Sequence, residues 1–229
     1  MAADAIEWGY EGPIGPERWA SLSEAYAACG GEAQSPVDIT GYERGGSGPL
    51  SFSYDGEPTA VRNDGKAVHV DYAPGNTLRS GSRTFGLASL HMHAPSEHRV
   101  EGAGFAAELH LVHADAAGDF AVVGLLFEPG AASPIVQAIL DAAPAAGEEV
   151  SGGIALNASA CVPDGSAYYA YDGSKTTPPC DEGVAWHVMR DPLTISQEQV
   201  ETLLALGGGP TNRPIQPIGS RSIVLAGLP

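Results

Sequence analysis

The amino-acid sequence predicts a mainly β fold of the α+β class. We expect one domain over residues 1–229, with a large central twisted, mostly antiparallel sheet and a few short peripheral helices. Three observations point there. The 229 residues include 30 glycines and 18 prolines, a density of chain breakers that favours turns and loops over long helices. Hydrophobic residues make up 43% of the chain, enough for one sizeable core in a single β-rich domain. Strand-like patterns recur along the chain, whereas helical signals are sparse.

Residues 1–6 are expected to be a disordered lead ahead of the domain. The start, MAADAIEWGY, has neither a basic n-region nor an apolar h-region. It suits a cytosolic start, and equally a mature secreted domain whose signal was replaced by an initiating Met. PERWASLSEAYAACG, residues 16–30, reads as a short helix with Pro16 near its first turn and Gly30 near its stop. AVHVDY (67–72) alternates as a half-buried strand does, FAVVGLLF (120–127) is a buried apolar run, and GVAWHVM (183–189) reads as a further strand. Between them, SPIVQAILDAAPAAG (133–147) offers a second helix, with Ser133 as N-cap and Pro134 at the first helical position. TISQEQVETLLALGGG (194–209) offers a third, with Ser196 as N-cap, Gln199 three residues later and a glycine stop.

Charge narrows the partners. Acidic residues number 28 against 11 basic, a formal net charge of −17, which nucleic acid and anionic membrane surfaces would repel. A solvated acidic surface is the plain reading, and adaptation to salt the sharper one. No stretch approaches the roughly 18 consecutive apolar residues of a membrane-spanning helix. Three cysteines, Cys29, Cys161 and Cys180, are too few for a disulfide-dense scaffold and leave one over if two pair. Composition leaves the compartment open.

Five of the seven histidines crowd into LHMHAPSEH (90–98) and ELHLVH (108–113). In an extended strand residues two apart share a face, so His91 and His93 stand side by side, as do Glu108, His110 and Val112. If the two strands are neighbours, His91, His93 and His110 converge. Three neutral imidazoles suit Zn2+ and leave a fourth position open, the mark of a catalytic site. Glu108, two residues before His110, is placed to hold that ligand's other nitrogen. His98 and His113 fall off this geometry and read as structural.

These residues resemble the α-class carbonic anhydrases, in the bacterial and extracellular branch. The likeness runs from WGYEGPIGPERW (8–19) through QSPVDI (34–39), the two histidine motifs and YDGSKTTPPCDEGVAWHV (171–188) to NRPIQP (212–217), six motifs in the family's order. It implies a zinc enzyme that hydrates carbon dioxide reversibly to bicarbonate and a proton, by attack of zinc-bound hydroxide, with activated esters as side substrates. Thr176 matches the family's gatekeeper threonine, its hydroxyl donating to Glu97 and accepting from the hydroxide. Thr177 and its backbone would polarise bicarbonate or an anion. Val112, Val122, Val184 and Trp186 would form the apolar pocket for carbon dioxide. Tyr10 joins the catalytic residues by the same resemblance. Anions and sulfonamides are the inhibitors it implies, and a homodimer is allowed. Cys29 and Cys180 match positions that are disulfide-linked in that branch, which shifts the compartment to periplasmic or secreted.

Three positions depart from the family pattern. Lys175 replaces the leucine before the gatekeeper; a cation there would impede carbon dioxide while favouring hydroxide and attracting anions, unless it turns out to solvent. Lys66 stands at the proton-shuttle position, where a group titrating near 7 serves best, and His69, three residues on, is the substitute the resemblance suggests. Ser89, two residues before His91, replaces a supporting glutamine, and loss of such a partner costs about 10- to 100-fold in metal affinity or activity. A non-catalytic binding relative is the rival reading, but such relatives lose a zinc histidine and this chain keeps all three.

Overall fold

The computed structural model describes residues 6–46, 48–152, 155–162 and 167–228. Residues 1–5 of the expected lead therefore lie outside the described residues, while the Ile6 carbonyl accepts a hydrogen bond from the Tyr26 hydroxyl at 2.9 Å. Along the first two thirds of the chain run β1 (Asp38–Ile39), β2 (Glu43–Arg44), β3 (Ser51–Ser53), β4 (Pro58–Asn63), β5 (Val68–Tyr72), β6 (Thr77–Ser80), β7 (Arg83–His93), β8 (Arg99–Val100), β9 (Ala107–Ala114) and β10 (Phe120–Pro129). After a helix come β11 (Glu149–Ser151), β12 (Tyr168–Ser174), β13 (Glu182–Met189), β14 (Leu193–Ile195) and, last, β15 (Val224–Ala226).

Thirteen of these strands share one sheet, with the central order β4–β5–β7–β9–β10–β13–β12. Most neighbours are antiparallel, but β10 and β13 pair in parallel at the centre, so the sheet is mixed. Each face has its own core. On one side Leu90, Met92, Leu109, Leu111, Val123 and Leu125 pack with Val136, Ile139 and Leu203. On the other, Val122, Val184, Trp186 and Val188 pack with Tyr171 and Leu126.

Burial on both faces explains why β10 reads as an unbroken apolar run instead of alternating. It also lets β9, AELHLVHA, hide Glu108 and His110 on one side while Leu109, Leu111 and His113 fill the other.

Two predicted helices match. α2 (Pro134–Ala142) is capped by Ser133, whose hydroxyl accepts from Val136 N. α3 (Gln197–Leu206) has the full capping box between Ser196 and Gln199. Gln199 also bonds both backbone groups of Ser133, each at 2.8 Å, so one side chain ties the two helix starts together.

The first predicted helix is corrected. Residues 16–30 give only one α-turn, α1 (Trp19–Leu22), followed by 3-10 turns over Glu24–Gly30. Ser23 breaks it: extended at φ −163°, it uses its hydroxyl to cap the second segment at Ala25 N, the competition with helix backbone that serine offers.

Candidate metal centre

Pairing across the sheet assembles the site. β7 and β9 are antiparallel with His91 directly opposite His110 and His93 opposite Glu108. On β5, His69 lies opposite His91; on β10, Gly124 lies opposite His110. One row across four strands thus reads His69, His91, His110, Gly124. The glycine makes room, because a Cβ there would meet Glu108 Oε1 at 3.0 Å.

His91, His93 and His110 can bring ligand nitrogens within 4.8 Å of one another, and their ring centroids are 4.7–5.2 Å apart. Burial comes first among the causes that push all three below the ordinary histidine range, His93 to about 4. They are therefore neutral, the form a metal needs.

Outer contacts fix which nitrogens remain. His93 Nδ1 lies 2.6 Å from the Thr211 carbonyl, so it carries the proton, and Nε2 is left buried without a hydrogen bond. His110 Nε2 lies 2.9 Å from Glu108 Oε1, which leaves Nδ1 for a metal. His91 has a different deficit: its Nδ1 is buried with no hydrogen-bond partner among the described residues, so Ser89 does not support it.

Glu108 is the organising anion. Its Oε2 accepts from the backbone N–H groups of Glu97 and His98 at 2.9 and 2.8 Å, and its Oε1 from His110 and, at 2.7 Å, from His98 Nδ1. Burial alone would raise its pKa, but His98 and then His110 outweigh that and hold the carboxyl well below the usual range. His98 Nε2 then accepts from the Tyr171 hydroxyl at 2.6 Å. His98, Glu108 and His110 also bring polar atoms within 4.8 Å of one another, yet both nitrogens of His98 and Nε2 of His110 are taken up by the bonds to Glu108 and Tyr171. His113 is likewise structural, its Nε2 at 2.6 Å from the Tyr54 hydroxyl.

A cavity of about 120 Å³ opens above the triad, floored by His91 and His110 and walled by Val112, Val122, Val184 and Trp186. Lys175, Thr176 and Thr177 line it too, and so does Phe120, which sequence reasoning missed as a pocket residue. Glu97 is buried beside it; Oε1 accepts from Arg213 N at 2.9 Å, and Oε2 lacks a hydrogen bond of good geometry. Burial pushes Glu97 up to about 7, against the pull of His110 and of hydrogen bonding from Arg213 and the Thr176 hydroxyl. The Thr176 hydroxyl is next to this carboxylate, and Oε2 is the oxygen left for it.

Other predicted residues lie at the margin. Lys66 Nζ sits 4.9 Å over the Trp8 ring. His69 is 5.1 Å from the His91 ring and its Nε2 is 3.3 Å from Asp64 Oδ2. Tyr10 packs edge-on against Trp8 and Trp19 and borders a separate hollow with Asn212. Cys29 and Cys180 form a disulfide, and Cys161 is free and buried.

Comparison with known proteins gives a consistent result. The family model described as eukaryotic-type carbonic anhydrase matches residues 14–226. A carbonic anhydrase of Pectobacterium carotovorum is 37% identical over 227 residues, covering 97% of this chain and 92% of that protein. Among solved structures, a hyperthermostable carbonic anhydrase from an active hydrothermal vent chimney superposes with a TM-score of 0.93 at 38% identity, covering 96% of this chain and all of that one. The α-carbonic anhydrase of Thermovibrio ammonificans in complex with the inhibitor sulfanilamide follows, with a TM-score of 0.92, 35% identity and coverage of 96% and 99%.

Proposed function

The chain belongs to the eukaryotic-type carbonic anhydrase family, and on that premise we propose that it interconverts carbon dioxide and bicarbonate at a zinc ion held by His91, His93 and His110. The observation that carries this is the triad of neutral imidazoles, His93 and His110 buried and His91 partly so, beside an apolar cavity, with His93 Nε2 making no hydrogen bond among the described residues. Three nitrogens and no carboxylate ligand suit Zn2+ with an open position. When bound, zinc lowers the pKa of water to about 7, the value known for carbonic anhydrase itself, and so supplies a nucleophile at neutral pH.

The chain's own residues do the rest. Glu108 and the Thr211 carbonyl hold His110 and His93 in the tautomers that present a lone pair. Glu97, with Oε1 taken by Arg213, draws the Thr176 hydroxyl proton to Oε2. The Thr176 oxygen is then an acceptor only, and it orients the nucleophile by taking its hydrogen bond. Val112, Val122, Val184 and Trp186 hold carbon dioxide without a charge to grip, and Thr177 with the adjoining backbone polarises bicarbonate.

Each turnover must export a proton. His69 stands across from His91 and next to Asp64, while Lys66 is occupied over Trp8, so His69 is the better carrier of the two, with Tyr10 bordering the route. The apolar cavity beside the triad would accept sulfonamides, as the Thermovibrio ammonificans relative accepts sulfanilamide, and activated esters would be side substrates. The Cys29–Cys180 disulfide supports a periplasmic or secreted location, since cytosolic thiols are kept reduced. Metal analysis tests the centre. The purified chain should hold one zinc, and His93→Ala should lose it to a mild chelator; a chain with no affinity for zinc would refute the proposal.

A further inference from the structure

Among the described residues, Lys175 is the one cation on the cavity wall, and its surroundings go beyond anything the family pattern supplied. Its Nζ lies 2.9 Å from Asp181 Oδ2 and 4.4 Å from the centroid of the Phe120 ring. The same two residues are clamped through the backbone, Lys175 N donating to Asp181 O at 3.0 Å. Phe120 starts β10 and also lines the cavity. The lysine is thus laid across the rim, its stem against apolar wall and its charge shared between a carboxylate and an aromatic face.

We propose that Asp181 is a specificity-determining residue for the reaction described above: it holds the Lys175 ammonium at the rim against Phe120, so that the lysine serves the pocket as an apolar wall and not as an anion trap. The proposal rests on the metal-site reading. An unpaired ammonium on this wall would attract any anion bound over the triad, bicarbonate included, and slow its release. Asp181 cancels that attraction at little cost to neutral carbon dioxide. Its side chain is about half exposed, so release of the lysine should change anion affinity by the modest factor that a solvent-screened charge produces.

Isothermal titration of zinc-loaded protein with thiocyanate reads this without turnover. Asp181→Asn should bind thiocyanate about fivefold more tightly than wild type, and Asp181→Glu should restore the wild-type value. In a Lys175→Leu background the Asp181→Asn change should have no effect. Equal affinity in wild type and Asp181→Asn, or an effect that survives Lys175→Leu, would overturn the proposal. Lys175→Gln in the otherwise native chain is a second check that leaves the loop's carboxylate alone. It should weaken thiocyanate binding less than twofold, because the charge it removes is already neutralised, and a loss of fivefold or more would overturn the proposal. Carbon dioxide hydration by wild type is measured separately: its absence would sink the carbonic anhydrase reading, while the titrations would still decide the role of Asp181.

Discussion

Single side chains decide whether the triad works, and they were unequally visible in the sequence. His91, His93 and His110 could be read from strand alternation once the two strands are neighbours, because an HxH on one strand and Glu108-x-His110 on the other leave few other arrangements. Their outer partners were less legible. Glu108 was visible at two residues from His110, but Thr211 supports His93 with a backbone carbonyl, which any residue type could offer. Arg213 fixes Glu97 with its backbone N–H, and again side-chain identity carries no signal. Ser89 is where the sequence departs and the structure shows the consequence, an unpartnered His91 Nδ1. Restoring a longer amide should supply the missing bond. We expect Ser89→Gln to slow zinc loss to dipicolinate by about tenfold; an unchanged rate would mean that His91 needs no such support.

Elements carry the next level. The alternation of LHMH held, but β7 as a whole does not alternate evenly: Phe85 and Leu87 face the same core as Leu90 and Met92. A bulge between Leu87 and Ser89 absorbs one residue and switches the parity. Without it His91 and His93 would point into the leucine core. Nothing in FGLASL announces that bulge, since only the pairing partner makes it necessary. The central parallel pair of β10 with β13 was also illegible, because an apolar run does not state its direction. The serine N-caps of α2 and α3, by contrast, are local chemistry and were read directly. Gly124 tests the packing of these strands. Gly124→Ala puts a Cβ 3.0 Å from Glu108 Oε1, an oxygen that His98 and His110 already hold, in a carboxylate with four donors in all. Glu108 must give way, and zinc affinity should fall about tenfold while the far-ultraviolet circular dichroism stays as in wild type. Unaltered affinity would show that Glu108 can move freely.

At the scale of the whole molecule, stability should depend on pH through histidines away from the metal. Burial pushes His113 down to about 3 and His187 to about 4. In the unfolded chain such groups titrate near about 6.5. Below that pH the unfolded chain binds protons that the folded chain refuses, so stability is fully present above about 6.5 and falls as the pH drops toward 4. A net charge of −17 acts in the opposite sense, since protonating carboxylates relieves self-repulsion. Comparing variants separates the two, because the charge effect is common to both. Between pH 7.5 and 5, chelated His113→Gln should lose about 2 kcal/mol less stability than chelated wild type by urea unfolding; parallel curves would contradict a neutral buried His113. The account as a whole stands on chemistry at the triad. Stopped-flow hydration of carbon dioxide, run on zinc-loaded and on chelated protein across a buffer series, tests it most directly. We expect turnover only with zinc, rising with buffer concentration because Lys66 and His69 export protons slowly. Fully zinc-loaded protein that hydrates no carbon dioxide would contradict it.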